Sequence, residues 1–156
     1  MAEGGSVEPT KAEASKARLT EWVFAHSERI SRKTARQIVE LAMDTDKGLL
    51  ILSILQPESN YVPSSASPKG AVGLGQIHYK SHAKLLNDSL GITDIRELFD
   101  IESNIKATNL ILTNMLTENR YDINKTLRAY LGGQDGIYVN RICQNYVELS
   151  LLLAVK

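Results

Sequence analysis

Glu58 is the residue in this chain best placed to move a proton. It ends an apolar run, Gly48 to Leu55 (GLLILSIL). Burial at such a point lifts a carboxyl from its ordinary value of about 4.3 toward neutrality. A glutamic acid tuned that way can protonate the leaving oxygen of a glycosidic bond and afterwards take a proton back. Ser59 follows it, either to orient the carboxylate or touch a substrate, or to close a local hydrogen bond at the helix end. A stretch of Pro, Ser and Gly then leads to Gly73-Leu74-Gly75-Gln76-Ile77. Glycines allow tight turns and close approach of a ligand to the backbone. Gln76 is placed either to hydrogen-bond a substrate or to brace its own loop. Tyr130 ends a later helical pattern just before Gly132-Gly133. Its hydroxyl either reaches the same cleft or belongs to an ordinary buried tyrosine.

These groups need a scaffold, and the periodicity describes one. Residues 1 to about 13 carry no pattern and read as a flexible tail ahead of a single domain over residues 14–156. A helix begins near Ala14, with Leu19, Trp22, Val23 and Ile30 on its apolar stripe. At that spacing Trp22 is a core residue more readily than a sugar-stacking platform. Ser31 is a fitting N-cap for a second helix and Asp46 for a third, Lys47 to about Gln56, which is apolar nearly all round and therefore central. Pro57 has no N–H to give the carbonyl four residues back and loosens or ends that helix beside Glu58. No helix fits between Tyr61 and Gln76, and Ala71 to Ile77 reads as an extended or hairpin arm. Helical pattern returns from Ser81 to Gly91, briefly at Ile95–Phe99 behind Thr93 or Asp94, and from Ser103 to Asn119. It recurs from Asn124 to Leu131 and from Ile137 to Ala154. The expected fold class is mainly α, a compact helical domain with a short irregular or β-hairpin arm after Glu58.

Composition narrows the partners. The chain has 156 residues, enough for one cored domain. Lys plus Arg and Asp plus Glu number 18 each, so no basic footprint for nucleic acid is present. The single cysteine, Cys143, lies in an apolar-periodic segment and reads as a buried small hydrophobe. No segment reaches the roughly 18 apolar residues of a spanning helix, and the N-terminus lacks the basic and apolar regions of a secretory leader. His78 and His82 share a helix face, but no Glu follows His78 in the zinc-protease pattern, so they read as a surface or cleft-rim pair with no metal or cofactor implied. His26 carries no such pattern.

Taken as a whole, the central stretch resembles the soluble lytic transglycosylase family, the lysozyme-like SLT domain. Glu58-Ser59, Pro63, Ser67-Pro68-Lys69-Gly70-Ala71, Gly73-Leu74 and Gln76-Ile77 match the family's order and spacing without a gap. Asn104-Ile105 and Ala129-Tyr130 resemble its later Asn-Ile and Ala-Tyr. The chain departs from the family at Gly75, where Met is common, and at Thr108, where Gly is usual. It departs again at Pro57, at His78 to Ser81 and at Leu131-Gly132-Gly133. A small residue at position 75 is expected to widen or soften the floor beside the acid.

The resemblance implies cleavage of peptidoglycan between N-acetylmuramic acid and N-acetylglucosamine, with Glu58 as the only acid and base and an anhydro ring as product. It implies substrate contacts from Ser59, Gly73, Leu74, Gly75, Gln76 and Tyr130. It also implies glycan strands as partner, a periplasmic or cell-envelope setting, and possible membership of an envelope or phage assembly. A lysozyme-type muramidase would need a second carboxylate, for which Asp88, Asp94, Glu97 and Asp100 are candidate partners in space, each also readable as a cap or solvated charge. A non-catalytic glycan-binding scaffold is the reading from another class.

Overall fold

Thr10 accepts a hydrogen bond from the Glu13 N–H, and the Glu13 side chain accepts one from the Thr10 N–H. This capping box starts the first helix, α1 (Lys11–Ala25), three residues before its apolar stripe reveals it. The computed structural model describes residues 7–133 and 136–155. Of the stretch read as a tail, residues 1–6 therefore lie outside the described residues, and Lys11 to Glu13 are helical. Ser31 caps α2 (Arg32–Met43), as its type and place predict.

The next helix, α3 (Gly48–Ser59), is the centre of the molecule. Ile51, Leu52, Ile54 and Leu55 are fully buried between α1, α2 and the later helices. Truncating one such side chain to Ala costs about 2–5 kcal/mol. Two expectations are corrected at its ends. Lys47, not Asp46, occupies the N-cap, without a side-chain bond, while Asp46 pairs with Lys47. Pro57 does not end the helix, which runs on to Ser59 and stops at Asn60 in the left-handed region, φ 54°. The missing Pro57 N–H leaves the Ser53 carbonyl to another donor, and Asn145 supplies it at 3.1 Å. Asn145 also bonds Gln56 Oε1 at 3.2 Å, so the proline is accommodated by a side chain from far along the sequence.

Tyr61 follows with φ 60° and turns inward, fully buried, its hydroxyl donating to the Leu52 carbonyl at 2.8 Å. The chain then forms a hairpin, β1 (Ala71–Val72) antiparallel to β2 (Ile77–His78), with Val72 opposite Ile77. The helix α4 (Tyr79–Leu90) begins directly after it and ends at Gly91, φ 65°. Asp94 and Glu97 make a second capping box on a 3-10 turn, Ile95–Phe99. Asp100 caps α5 (Ile101–Glu118), two residues ahead of the expected start, and Asp122 caps α6 (Ile123–Tyr130). The last helix, α7 (Gly136–Ala154), packs back against α3.

The core has two lobes. One gathers α1, α2, α3, α5 and α7 around Leu19, Ile38, Leu52 and Leu55. The other joins the hairpin, α4, the 3-10 turn and α5 through Val72, Ile77, Leu86 and Leu98. Tyr130 packs against both lobes, at the seam where Glu58 lies. Trp22 is half-buried, packed against the first lobe at the edge of the core, and stacks on His26 at 3.7 Å. Cys143 is exposed on the outer side of α7, contrary to the expectation of burial: on that helix Ile142 and Asn145 turn inward instead.

Candidate active site

Glu58 reaches an open cleft of about 580 Å³ from the last turn of α3. Burial raises its carboxyl to about 7, and burial is the sole cause of the shift. No hydrogen-bond donor among the described residues offsets the lost hydration. That absence lets desolvation act at full strength. Near neutral pH the group is therefore divided between acid and carboxylate, the state a group needs to donate a proton and then accept one.

The hairpin and α6 supply the facing wall. Tyr130 ends α6 at the cleft and donates its hydroxyl to the Gly75 carbonyl at 2.6 Å. Burial, and then the Glu58 charge, push its phenol well above the ordinary value. Gln76 lines the cleft from the turn between the strands, with its backbone at φ 50°. Its amide donates to the carbonyls of Gly73 at 3.0 Å and Ser65 at 3.4 Å, which ties it to its own loop.

The other residues named from the sequence stand behind this wall rather than on it. Ser59 is buried and donates to the Leu55 carbonyl at 3.1 Å, the helix-end bond of the simpler reading. Leu74 is fully buried in the first lobe. Gly73, at φ 72°, accepts the Gln76 N–H and amide and donates its own N–H to Ser65. Gly75 donates to Asn104 Oδ1 at 2.8 Å and accepts from Tyr130, so neither backbone group is left to offer a sugar. None of these four lines the cleft.

Asn104 is the residue that the sequence marked only by resemblance and that the structure places at the hub. Buried on α5, it accepts from Gly75 and donates to the carbonyls of Leu98 at 2.8 Å and Val72 at 3.3 Å. It thereby fixes the turn to the 3-10 segment and to β1. Gly73 has to be glycine here, because a Cβ would lie 2.1 Å from Asn104 Nδ2 and 2.3 Å from the Leu98 carbonyl. The floor beside the acid is not widened at Gly75. A Cβ there would meet Thr108 Oγ1 at 2.2 Å, so the two departures at 75 and 108 occupy one another's space.

His78 and His82 both line the cleft, His78 exposed and His82 half-buried. Burial first, then the His78 charge, lower His82 below the ordinary histidine value. Lys69 lines the cleft as well. Glu58 is its one carboxylate among the described residues. Asp88 pairs with Lys84, Asp94 with Arg96, Glu97 closes its capping box and Asp100 caps α5, so none of the four acids weighed as partners faces Glu58 from the cleft wall. A larger, mostly apolar hollow of about 740 Å³ lies at the opposite end of α3, beside α6 and α7. Its one acid, Asp46, is exposed and paired with Lys47, which leaves the chemistry to the cleft at Glu58.

A mainly helical domain of two lobes, with a desolvated carboxyl at their seam and a small hairpin arm, is the lysozyme-like class of fold. Within that class the family model described as the transglycosylase SLT domain matches residues 38–150. That is most of the chain, from α2 through α7, and the chain belongs to this family. Neither the curated proteins nor the solved structures contain a match.

Proposed function

We propose that this protein is a peptidoglycan lytic transglycosylase with Glu58 as its single acid and base. The observation that carries the reading is a lone carboxyl on the cleft wall, lifted to about 7, in a chain of the SLT family. Protonated Glu58 gives its proton to the oxygen joining N-acetylmuramic acid C1 to N-acetylglucosamine O4. The C1–O4 bond breaks, and the N-acetyl group of the substrate stabilises the cation at C1. The Glu58 carboxylate then takes the proton of the C6 hydroxyl of the same sugar as O6 bonds to C1. The products are a 1,6-anhydro end and a free O4 hydroxyl, and Glu58 regains its starting proton.

The absence of a second carboxylate from the described cleft residues supports this route over a two-carboxylate hydrolysis, whose carboxyl groups stand about 5–9.5 Å apart across the bond. The substrate assigned is the glycan strand of the bacterial wall, and the setting is the periplasm or cell envelope. No helix among the described residues is long and apolar enough to cross a membrane. Lysis of purified sacculi by wild type and by Glu58→Gln tests the reading. Clearing by the wild type and none by a folded Glu58→Gln is expected. Equal clearing by both sinks it, and binding without cleavage by the wild type turns the assignment to a glycan-binding scaffold.

A further inference from the structure

A second open hollow, of about 650 Å³, lies between α4 and α5 beside the cleft of Glu58. Ser81, His82 and Met115 line both, so the two hollows adjoin at these residues. From Ser81 the second one follows α4 to Ser89, a trough of about 12 Å at the helical rise. Leu85 of α4 and Ile111 and Met115 of α5 give it apolar side chains. Its charged side chains are of both signs. Lys84 pairs with Asp88, Asn114 donates to Glu118 Oε1 at 3.0 Å, and Lys80 makes no ion pair among the described residues. No aromatic ring lines the trough among the described residues, whereas Tyr130 and Tyr138 line the cleft.

We propose that this trough binds the stem peptide of the glycan strand, so that the protein selects peptide-bearing strands over denuded ones. The inference rests on the transglycosylase reading of the cleft. Uncharged sugar rings gain little from a wall of mixed charge without aromatic faces. A short peptide that carries free carboxylates, an amino group and alanine methyls complements it in sign and polarity. The stem hangs from the lactyl group on O3 of N-acetylmuramic acid, the sugar whose C1 reacts at Glu58. It therefore leaves the strand next to the scissile bond, and the trough is the hollow that adjoins the cleft. Four extended residues reach about 13 Å, close to the length of the trough. The carboxylates of the stem then meet Lys80, its amino group meets Glu118, and its methyls lie on Leu85 and Ile111.

Two substrates test this, glycan strands from sacculi with their peptides and the same strands stripped by an amidase. Wild type is compared with Lys80→Ala/Glu118→Ala, a pair of exposed positions away from the cleft of Glu58. A binding experiment runs beside the kinetics. The free tetrapeptide L-Ala-γ-D-Glu-meso-diaminopimelyl-D-Ala is titrated into the full chain carrying Glu58→Gln, with and without the two trough substitutions, and followed by amide NMR shifts.

Wild type is expected to cleave peptide-bearing strands with kcat/KM about five- to tenfold above that for stripped strands, the scale of two exposed ion pairs, with the difference in KM. The double variant brings that ratio close to one through KM. The tetrapeptide shifts amides along 80–89 and 111–118, and the two substitutions abolish those shifts. Equal kcat/KM for the two substrates in wild type overturns the role of the trough and leaves the transglycosylase reading standing. So does a double variant that keeps the wild-type ratio, or a tetrapeptide that shifts no amide of the trough. Cleavage of neither substrate by the wild type sinks the transglycosylase reading, and this inference with it.

Discussion

Replacing Glu58 with Gln should make the protein more stable at neutral pH and leave its stability in acid nearly unchanged. In the folded chain Glu58 keeps its proton up to about pH 7, whereas a solvated glutamate releases it near 4.5. Below pH 4.5 both states hold the proton and the residue adds no pH-dependent difference. Between 4.5 and 7 the unfolded chain ionises while the folded one does not, so stability falls as pH rises. Above pH 7 the penalty is complete. A rise from 4.5 to about 7, at about 1.4 kcal/mol per pH unit, sets it near 3 kcal/mol as an upper figure. Glutamine is neutral throughout, and every other titrating group is common to the two proteins. The stability difference, variant minus wild type, should therefore grow by up to about 3 kcal/mol between pH 4 and 8. Urea titrations at a series of pH values, followed through the fluorescence of the single tryptophan, Trp22, measure it. Parallel curves across that range, or a wild type that gains on the variant as pH rises, would refute desolvation as the device that tunes this acid.

Three further predictions concern the frame that holds the cleft. Asn104→Ala strips partners from the Gly75 N–H and from the Leu98 and Val72 carbonyls, and should cost about 2–4 kcal/mol in urea unfolding. Gly73→Ala forces a Cβ to 2.1 Å from Asn104 Nδ2 at φ 72°, and should cost more than about 2 kcal/mol by the same measurement. Asn145→Ala should cost about 1–3 kcal/mol in the natural chain and clearly less beside Pro57→Ala, where the restored N–H can reach the Ser53 carbonyl. Additive losses in that double-mutant cycle would mean that Asn145 does not serve the carbonyl freed by the proline.

The helices were legible where a cap and an apolar stripe coincide. Ser31 before Ile38 and Val39 marked α2, and the all-round apolar run before Glu58 marked α3 as central. The start of α1 was missed because its signal is a polar pair, Thr10 and Glu13, lying outside the stripe. The reach of α3 past Pro57 was missed because the compensating donor, Asn145, stands 89 residues beyond Gln56, with which it also bonds. Glu58, Gln76 and Tyr130 were identified by residue type and place, and the structure sets all three on one cleft. Gly73, Leu74 and Gly75 were expected to contact substrate, with a tight turn as the alternative for the glycines, yet the sequence does not reveal which side of a turn faces inward. The Gly75 backbone groups are spent on Asn104 and Tyr130, partners no local pattern records, those of Gly73 on Ser65 and Gln76, and the Leu74 side chain on the core. The interlock of Gly75 with Thr108 joins two positions 33 residues apart, and only their shared space discloses it.

The central claim is that Glu58 alone serves both proton transfers, so the sugar's own C6 hydroxyl takes the place of water. Mass spectrometry of the products released from sacculi, with digestion carried out in 18O-labelled water, tests it most directly. The account predicts 1,6-anhydro ends lighter by one water than hydrolytic products and free of label. Reducing ends carrying 18O at C1 would contradict it and assign the cleft to hydrolysis.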